Sequence, residues 1–278
     1  FIRNTALIGT SLTIGTSSLL SSCVGKNTNN TNQPIQRLMD WRVPVMDDMA
    51  VDGQVIKVGL IGCGGPGTGD IISLTQAANG IEIIALGDVF QDKIDNSRKQ
   101  IKNETGQDIP DEKCFVGFDA YQKIIDSGID LVLLTTPPAF RPLHFEAAVR
   151  AGKHVFMEKP TSVDVAGSLK IQATSKIADG QRLSVVAGTQ YRHQRSYVEA
   201  VKQVANGAIG EILGGEVYYN QGMLWYRNRE QGWNDMEYML RDWVNWCWLS
   251  GDHIVEQHIH NIDTFAWFCG LKPVNATG

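Results

Sequence analysis

Val55-Ile56-Lys57-Val58-Gly59-Leu60-Ile61-Gly62-Cys63-Gly64-Gly65-Pro66-Gly67 runs from a short apolar stretch straight into a cluster of glycines. An apolar run of strand length closed by glycines is how a parallel strand buried on both faces reads. The glycines satisfy G-x-G-x-x-G at Gly62, Gly64 and Gly67, and a helix is expected from about Gly67 to Ala78. The first glycine permits a tight turn, the second lets backbone approach a pyrophosphate, and the third lets the helix pack on the strand while its free amides face the anion. A glycine-rich turn of no further purpose is spelled with the same letters, so the surrounding chain has to decide.

Downstream, Ile81 to Leu86, Leu131 to Leu134, His154 to Met157 and Leu183 to Ala187 are further apolar runs of strand length. The stretches between them are long enough for crossover helices, which argues for an α/β fold with a Rossmann doubly wound parallel sheet. Asp88 follows the second run, near the distance at which an acidic residue meets the adenosine ribose hydroxyls of a dinucleotide. Its charge would repel a 2'-phosphate, so NAD is expected over NADP, the alternative if a basic neighbour compensates.

From Gly210 the texture changes. Glu211 to Tyr219 reads as the first strand of an open sheet in an α+β substrate domain, and a helix is expected from about His253 to Cys269, stopped by Gly270 and Pro273. On that helix Val255, Ile259, Ile262 and Ala266 form one stripe, and Glu256, His260, Asp263 and Trp267 the adjacent one. Between lie Trp225, Trp233, Trp243, Trp246 and Trp248, interleaved with Arg227, Arg229, Glu237 and Arg241, a composition that suits either sugar rings or packing. The expected organisation is 1–23 as a processing segment, 24–50 as a tether, 51–190 as the nucleotide-binding domain, and 191–278 as the incomplete start of the substrate domain.

The 278 residues, 43% hydrophobic, suit a folded protein with a sizeable core. A net charge of -5 supplies no basic face, which argues against nucleic acid as a partner. The five cysteines, Cys23, Cys63, Cys114, Cys247 and Cys269, show neither C-x-x-C nor zinc-ligand spacing, and no metal is expected. His253, Glu256, His258 and His260 crowd together, but on a regular helix His258 lies far round from His260, so both reach one ion only with difficulty. Cys23 stands apart, closing a stretch of apolar and hydroxyl residues too short to span a bilayer and preceding the polar run from Lys26 to Gln33.

Leu20-Ser21-Ser22-Cys23 resembles the lipobox of bacterial lipoproteins. That resemblance implies lipidation of Cys23, membrane anchoring and a place in the periplasm or cell envelope, with a twin-arginine motif upstream of Phe1 left open. A second resemblance rests on Leu134-Thr135-Thr136-Pro137-Pro138, His144 and Gly152-Lys153-His154-Val155-Phe156-Met157-Glu158-Lys159-Pro160. These stretches, with the glycine turn, are similar to the Gfo/Idh/MocA family of glucose-fructose oxidoreductases and inositol dehydrogenases.

The family resemblance makes Lys159 the lysine that reaches a substrate hydroxyl beside the nicotinamide. It places Thr136, Pro137, His144 and Glu158 with the cofactor, and Tyr191, Arg192 and Asp263 toward the substrate. Glu256-Gln257-His258-Ile259-His260 matches the family's acid-x-x-x-histidine signature, with Glu where Asp is usual. The i,i+4 spacing puts Glu256 and His260 on one helix face, with His260 as general acid or base. The implied reaction is hydride transfer between a carbinol carbon of a sugar or polyol and NAD, which an exported enzyme would have to hold tightly. A glycoside hydrolase that oxidises its sugar transiently is the alternative, a non-catalytic sugar-binding lipoprotein a third, and the resemblance implies a homo-oligomer.

Overall fold

The structure is a computed structural model and describes residues 53–270 and 273–277. Cys23, the processing segment and the tether lie outside the described residues. The chain opens with β1 (Ile56–Ile61), α1 (Gly65–Ala77), β2 (Ile81–Asp88), α2 (Gln91–Thr105), β3 (Cys114–Val116) and α3 (Ala120–Ile125). It continues with β4 (Leu131–Leu134), α4 (Arg141–Arg150), β5 (His154–Met157), α5 (Val165–Gly180) and β6 (Val185–Ala187). The six strands are all parallel, in the order β3-β2-β1-β4-β5-β6. Chain direction across the sheet reverses between β1 and β4, and in such sheets ligands bind in the crevice outside the carboxyl ends of the strands at that point.

Two apolar clusters cover the two faces. One joins Ile61, Val132, Leu134, Val155 and Met157 to Ile124 of α3, Phe145 and Val149 of α4 and Ala178 of α5. The other joins Val58, Leu60, Ile83 and Leu86 to Ile71 of α1 and Ile94 and Ile101 of α2. Burial on both sides is why these strands read as predominantly apolar runs.

After β6 come α6 (Arg195–Ala205), α7 (Asp235–Arg241), α8 (Cys247–Ser250), a π-helical turn (Ile254–His258) and α9 (Ile259–Cys269). The strand expected at Glu211 to Tyr219 does not form: residues 211–230 contain neither helix nor strand. Strand backbone needs a neighbour for its N–H and C=O groups, and none lies alongside among the described residues. Leu213 and Met223 stand almost wholly in solvent there. Helix α1 also begins at Gly65, earlier than expected, because Pro66 occupies a first-turn position where a missing N–H costs nothing.

Candidate active site

The glycine turn joins β1 to α1 at the crevice. Gly62 has φ +102, and a side chain there would put Cβ 2.7 Å from the Thr135 and Thr136 backbone. At Gly67 a Cβ would fall 2.2 Å from Thr135 Oγ1 and 2.3 Å from Gly62 O, so only glycine lets α1 approach the turn. Gly64 differs, since the nearest atom to a Cβ there, Pro66 Cδ, lies 4.0 Å away. Nothing among the described residues requires glycine at this position, and the open face beside α1 is where a pyrophosphate would impose that requirement. The turn therefore fits a dinucleotide.

Asp88 closes β2 beside this turn. Its Oδ2 accepts from Cys63 N–H at 2.8 Å and its Oδ1 from Phe90 N–H at 3.0 Å, so it braces the glycine turn. Burial pushes its pKa up, opposed by those backbone bonds. On the far side Thr135 Oγ1 donates to Gly62 O at 2.6 Å, a tie that sequence reasoning missed. Thr136 and Pro137 follow, with Thr136 Oγ1 3.3 Å from His144 Nδ1. His144 is buried and stacked on Tyr121 at 4.5 Å, so its link to the cofactor groove runs through Thr136. Burial, with help from Arg141, drives its pKa down to about 4 and keeps the ring neutral.

Beyond β5, Lys159 Nζ donates to Glu256 Oε1 at 2.9 Å and to the Glu256 carbonyl at 2.7 Å. Glu256 lies on the π-helical turn, and burial raises its pKa although Lys159 and Arg141 oppose the shift. Glu158 is half-buried, accepts from Lys159 N–H at 3.2 Å and is likewise raised by burial. The i,i+4 spacing thus serves a purpose other than a Glu256–His260 bond: the acid reaches Lys159 and leaves the imidazole free of it. His260 is buried against Tyr191 (ring centroids 5.2 Å apart) and stacks with Tyr219 at 6.0 Å. Burial first, then Lys159, lowers its pKa against the pull of Asp263.

Arg192 and Asp263, both expected on the substrate, engage each other through a bidentate pair at 2.7 and 2.8 Å, with Arg192 also over the Trp267 ring. Of the tryptophans, Trp225 packs edge-on against Trp243 and Trp246 against Tyr238, whereas Trp248 stands half in solvent. His253 and His258 pair with each other, Nδ1 to Nδ1 2.9 Å, and Tyr219 lies 6.0 Å from the rings of both His258 and His260.

Two site residues were missed altogether. Arg141, at the start of α4, is buried and donates to the Pro160 carbonyl. Burial lowers its pKa to about 10 while Glu256, Glu158 and Asp70 pull it back up. Asp70 of α1 is raised to about 6 by burial and by Glu158, with Arg141 opposing. Asp70 Oδ2, Arg141 Nε and Glu256 Oε2 are buried without a protein hydrogen-bond partner. The only signal available was position, since both Asp70 and Arg141 lie in the first two turns of helices that follow strands. Beside Glu256, a cavity of about 270 Å³ is lined by Asn245, Ser250, Asp252 and His253 among others.

Residues 56–186 match the family model described as the GFO_IDH_MocA oxidoreductase family with an NAD-binding Rossmann fold. Inositol 2-dehydrogenase 1 of Saccharopolyspora erythraea is 30% identical over 206 residues, 74% of this chain and 57% of that protein. The inositol 2-dehydrogenase/D-chiro-inositol 3-dehydrogenase of Halalkalibacterium halodurans is 30% identical over 158 residues, 57% of this chain and 42% of that one. The chain therefore spans about half the length of these relatives. Among solved structures, scyllo-inositol dehydrogenase of Lactobacillus casei with NAD(H) and scyllo-inositol bound superposes with TM-score 0.54 at 24% identity, covering 78% of this chain and 57% of that one. Myo-inositol 2-dehydrogenase of Lactobacillus plantarum gives TM-score 0.57 at 24% identity, covering 80% and 58%. At such identities the likeness shows the fold.

Proposed function

We propose that this chain, whose residues 56–186 match the Gfo/Idh/MocA oxidoreductase family, moves hydride between a carbinol carbon of a sugar or polyol and NAD, with Lys159 and His260 managing the hydroxyl proton. The observation that carries the reading is the convergence of Lys159, Glu256 and His260, from β5 and the π-turn to α9, at the carboxyl ends of the strands. The glycine turn, Asp88 and Thr136 would hold the dinucleotide, which when bound supplies the hydride acceptor. Lys159 must give up a proton before it can take one from a hydroxyl, and Glu256 Oε1, only 2.9 Å away and made more basic by burial, is placed to receive it. His260, its pKa lowered, is neutral near pH 7 and so able to accept a proton, while Tyr191 and Tyr219 wall it from the sides.

Residues 51–190 form the nucleotide domain in this reading, and 191–278 begin the substrate domain. The named relatives are dehydrogenases of inositols, which supports a polyol substrate and does not favour the glycoside hydrolase. Export, lipidation at Cys23, tight retention of NAD and assembly into a homo-oligomer complete the proposal; the first two are supported by Leu20-Ser21-Ser22-Cys23 and the polar run after it. The test is to assay the nucleotide released when the purified protein is unfolded, then to offer inositols and aldoses with NAD. Formation of NADH with one of them is the expected result. Retained activity after Lys159→Met and His260→Asn, or no nucleotide binding at all, would overturn the assignment.

A further inference from the structure

The segment between α6 and the π-turn is tied to itself by many bonds. Arg229 holds Asp235 at 2.6 Å and the Trp233 carbonyl at 2.7 Å, and Asp242 accepts from Arg227 N–H at 2.7 Å and from Asn245 at 3.0 Å. Arg241, in the last turn of α7, reaches out of it. Its guanidinium forms a fork with Asp92 of α2 at 2.9 and 3.1 Å, across 149 positions of sequence. It also holds Glu237 at 3.0 Å and lies over the rings of Phe90 and Trp233, 3.9 and 4.9 Å from their centroids. The Arg241 side chain is only 14% exposed, so its stack is largely shielded from solvent, whereas Asp92 is 52% exposed and the fork is open to water on the carboxylate side.

The place it grips matters. Phe90 is the residue before α2, and its N–H donates to Asp88 Oδ1. The β2–α2 turn is where a Rossmann fold meets the adenosine ribose. A planar cation stacked on Phe90 and bonded to Asp92 therefore fixes both sides of the turn that aims Asp88. We propose that Arg241 is a positioning residue for the cofactor: it fastens the tryptophan-rich segment to the β2–α2 turn, and NAD leaves at the rate at which this clamp opens. The two carboxylates already on Arg241 also keep it from serving a 2'-phosphate, so the clamp does not soften the preference for NAD. The inference rests on NAD lying between the glycine turn and Asp88, as in the function proposed above.

The experiment measures release of NADH from the full chain by stopped-flow displacement with excess NAD, in the wild type, Arg241→Met, Asp92→Asn and the double variant. Asp95→Asn, on the same helix but with its side chain bonded to Gln91 and not to Arg241, is the control. Losing a bidentate charge pair with one half-exposed partner is expected to speed release about fivefold in either single variant. The double variant should be no faster, and the control and the NAD-to-NADP ratio should be unchanged. Asp92 is half-exposed, so Asp92→Asn keeps the test valid even if Arg241→Met folds poorly. Release within about twofold of wild type for Asp92→Asn, or equal acceleration by the control, overturns the clamp while leaving the cofactor assignment intact. A wild type that takes up no NADH sinks both.

Discussion

Replacing Lys159 with methionine should reveal how the buried charge of Glu256 is balanced. The Lys159 and Glu256 side chains are 14% and 9% exposed. Deleting one partner of a fully buried pair costs about 3–5 kcal/mol because the other charge is left unpaired. The residual exposure, and Arg141 nearby, reduce that to about 2–4 kcal/mol at neutral pH. The sign with pH follows from Glu256, whose pKa already stands above the ordinary 4.5 through burial. Between that value and its raised pKa the native state holds more protons than the unfolded chain, so its contribution to stability falls as pH rises through the window. Without Lys159 the folded pKa climbs further and the window widens upward. Urea unfolding from pH 5 to 8 should therefore show Lys159→Met near wild type at the acid end and increasingly weaker toward pH 8. Adding Glu256→Gln should restore most of the loss. A deficit that is the same at pH 5 and pH 8, or a double variant no better than the single, would refute this account of the pair.

Gly64→Ala should leave the thermal midpoint unchanged, since a Cβ there meets nothing closer than 4.0 Å, yet abolish NADH binding in a calorimetric titration. Gly67→Ala should lower both, by about 1–3 kcal/mol in stability, because its Cβ collides with Gly62 O and Thr135. His144 has a folded pKa of about 4 against an ordinary 6.5. The unfolded chain binds the extra proton between these values, so stability falls as pH drops from about 6.5 toward about 4; His144→Phe, which keeps the stack on Tyr121, should flatten that limb in a series of melting curves. His260→Asn should lose polyol oxidation by at least about a hundredfold while NADH titrations still saturate as in wild type.

The nucleotide-binding half was legible because its central strands are buried on both faces and must be written in apolar residues. Val58 and Leu60 are fully enclosed, and the glycines at Gly62 and Gly67 are demanded by contacts that any side chain would violate. Strand β3 was not legible: Cys114, Phe115 and Val116 are three residues at the sheet edge, partly exposed, and a length that short carries no period. The run from Glu211 to Tyr219 shows the opposite failure. Its residues have strand propensity, but a strand is a pairing, and propensity does not disclose whether a partner is present.

The site was legible only in the residues that a motif marks. Lys159, Glu256 and His260 could be named, but the bond from Lys159 to Glu256 spans 97 positions, and the helical wheel said only that Glu256 and His260 share a face, able to bond one another or to hold one substrate. The π-turn and the end of β5 make the choice, because they deliver the carboxylate to the lysine and leave the imidazole among tyrosines. Arg141 and Asp70 escaped because a charged residue on a helix reads as a solvated one until the fold buries it. Both sit on helices that open at the carboxyl ends of β1 and β4, where the chain departs to opposite faces of the sheet and leaves a crevice. The topology that creates the ligand crevice thus also draws these charges inward, and Arg141, bonded to Pro160 and drawn by the fields of Glu158 and Glu256, is what allows so many carboxylates to stand together there.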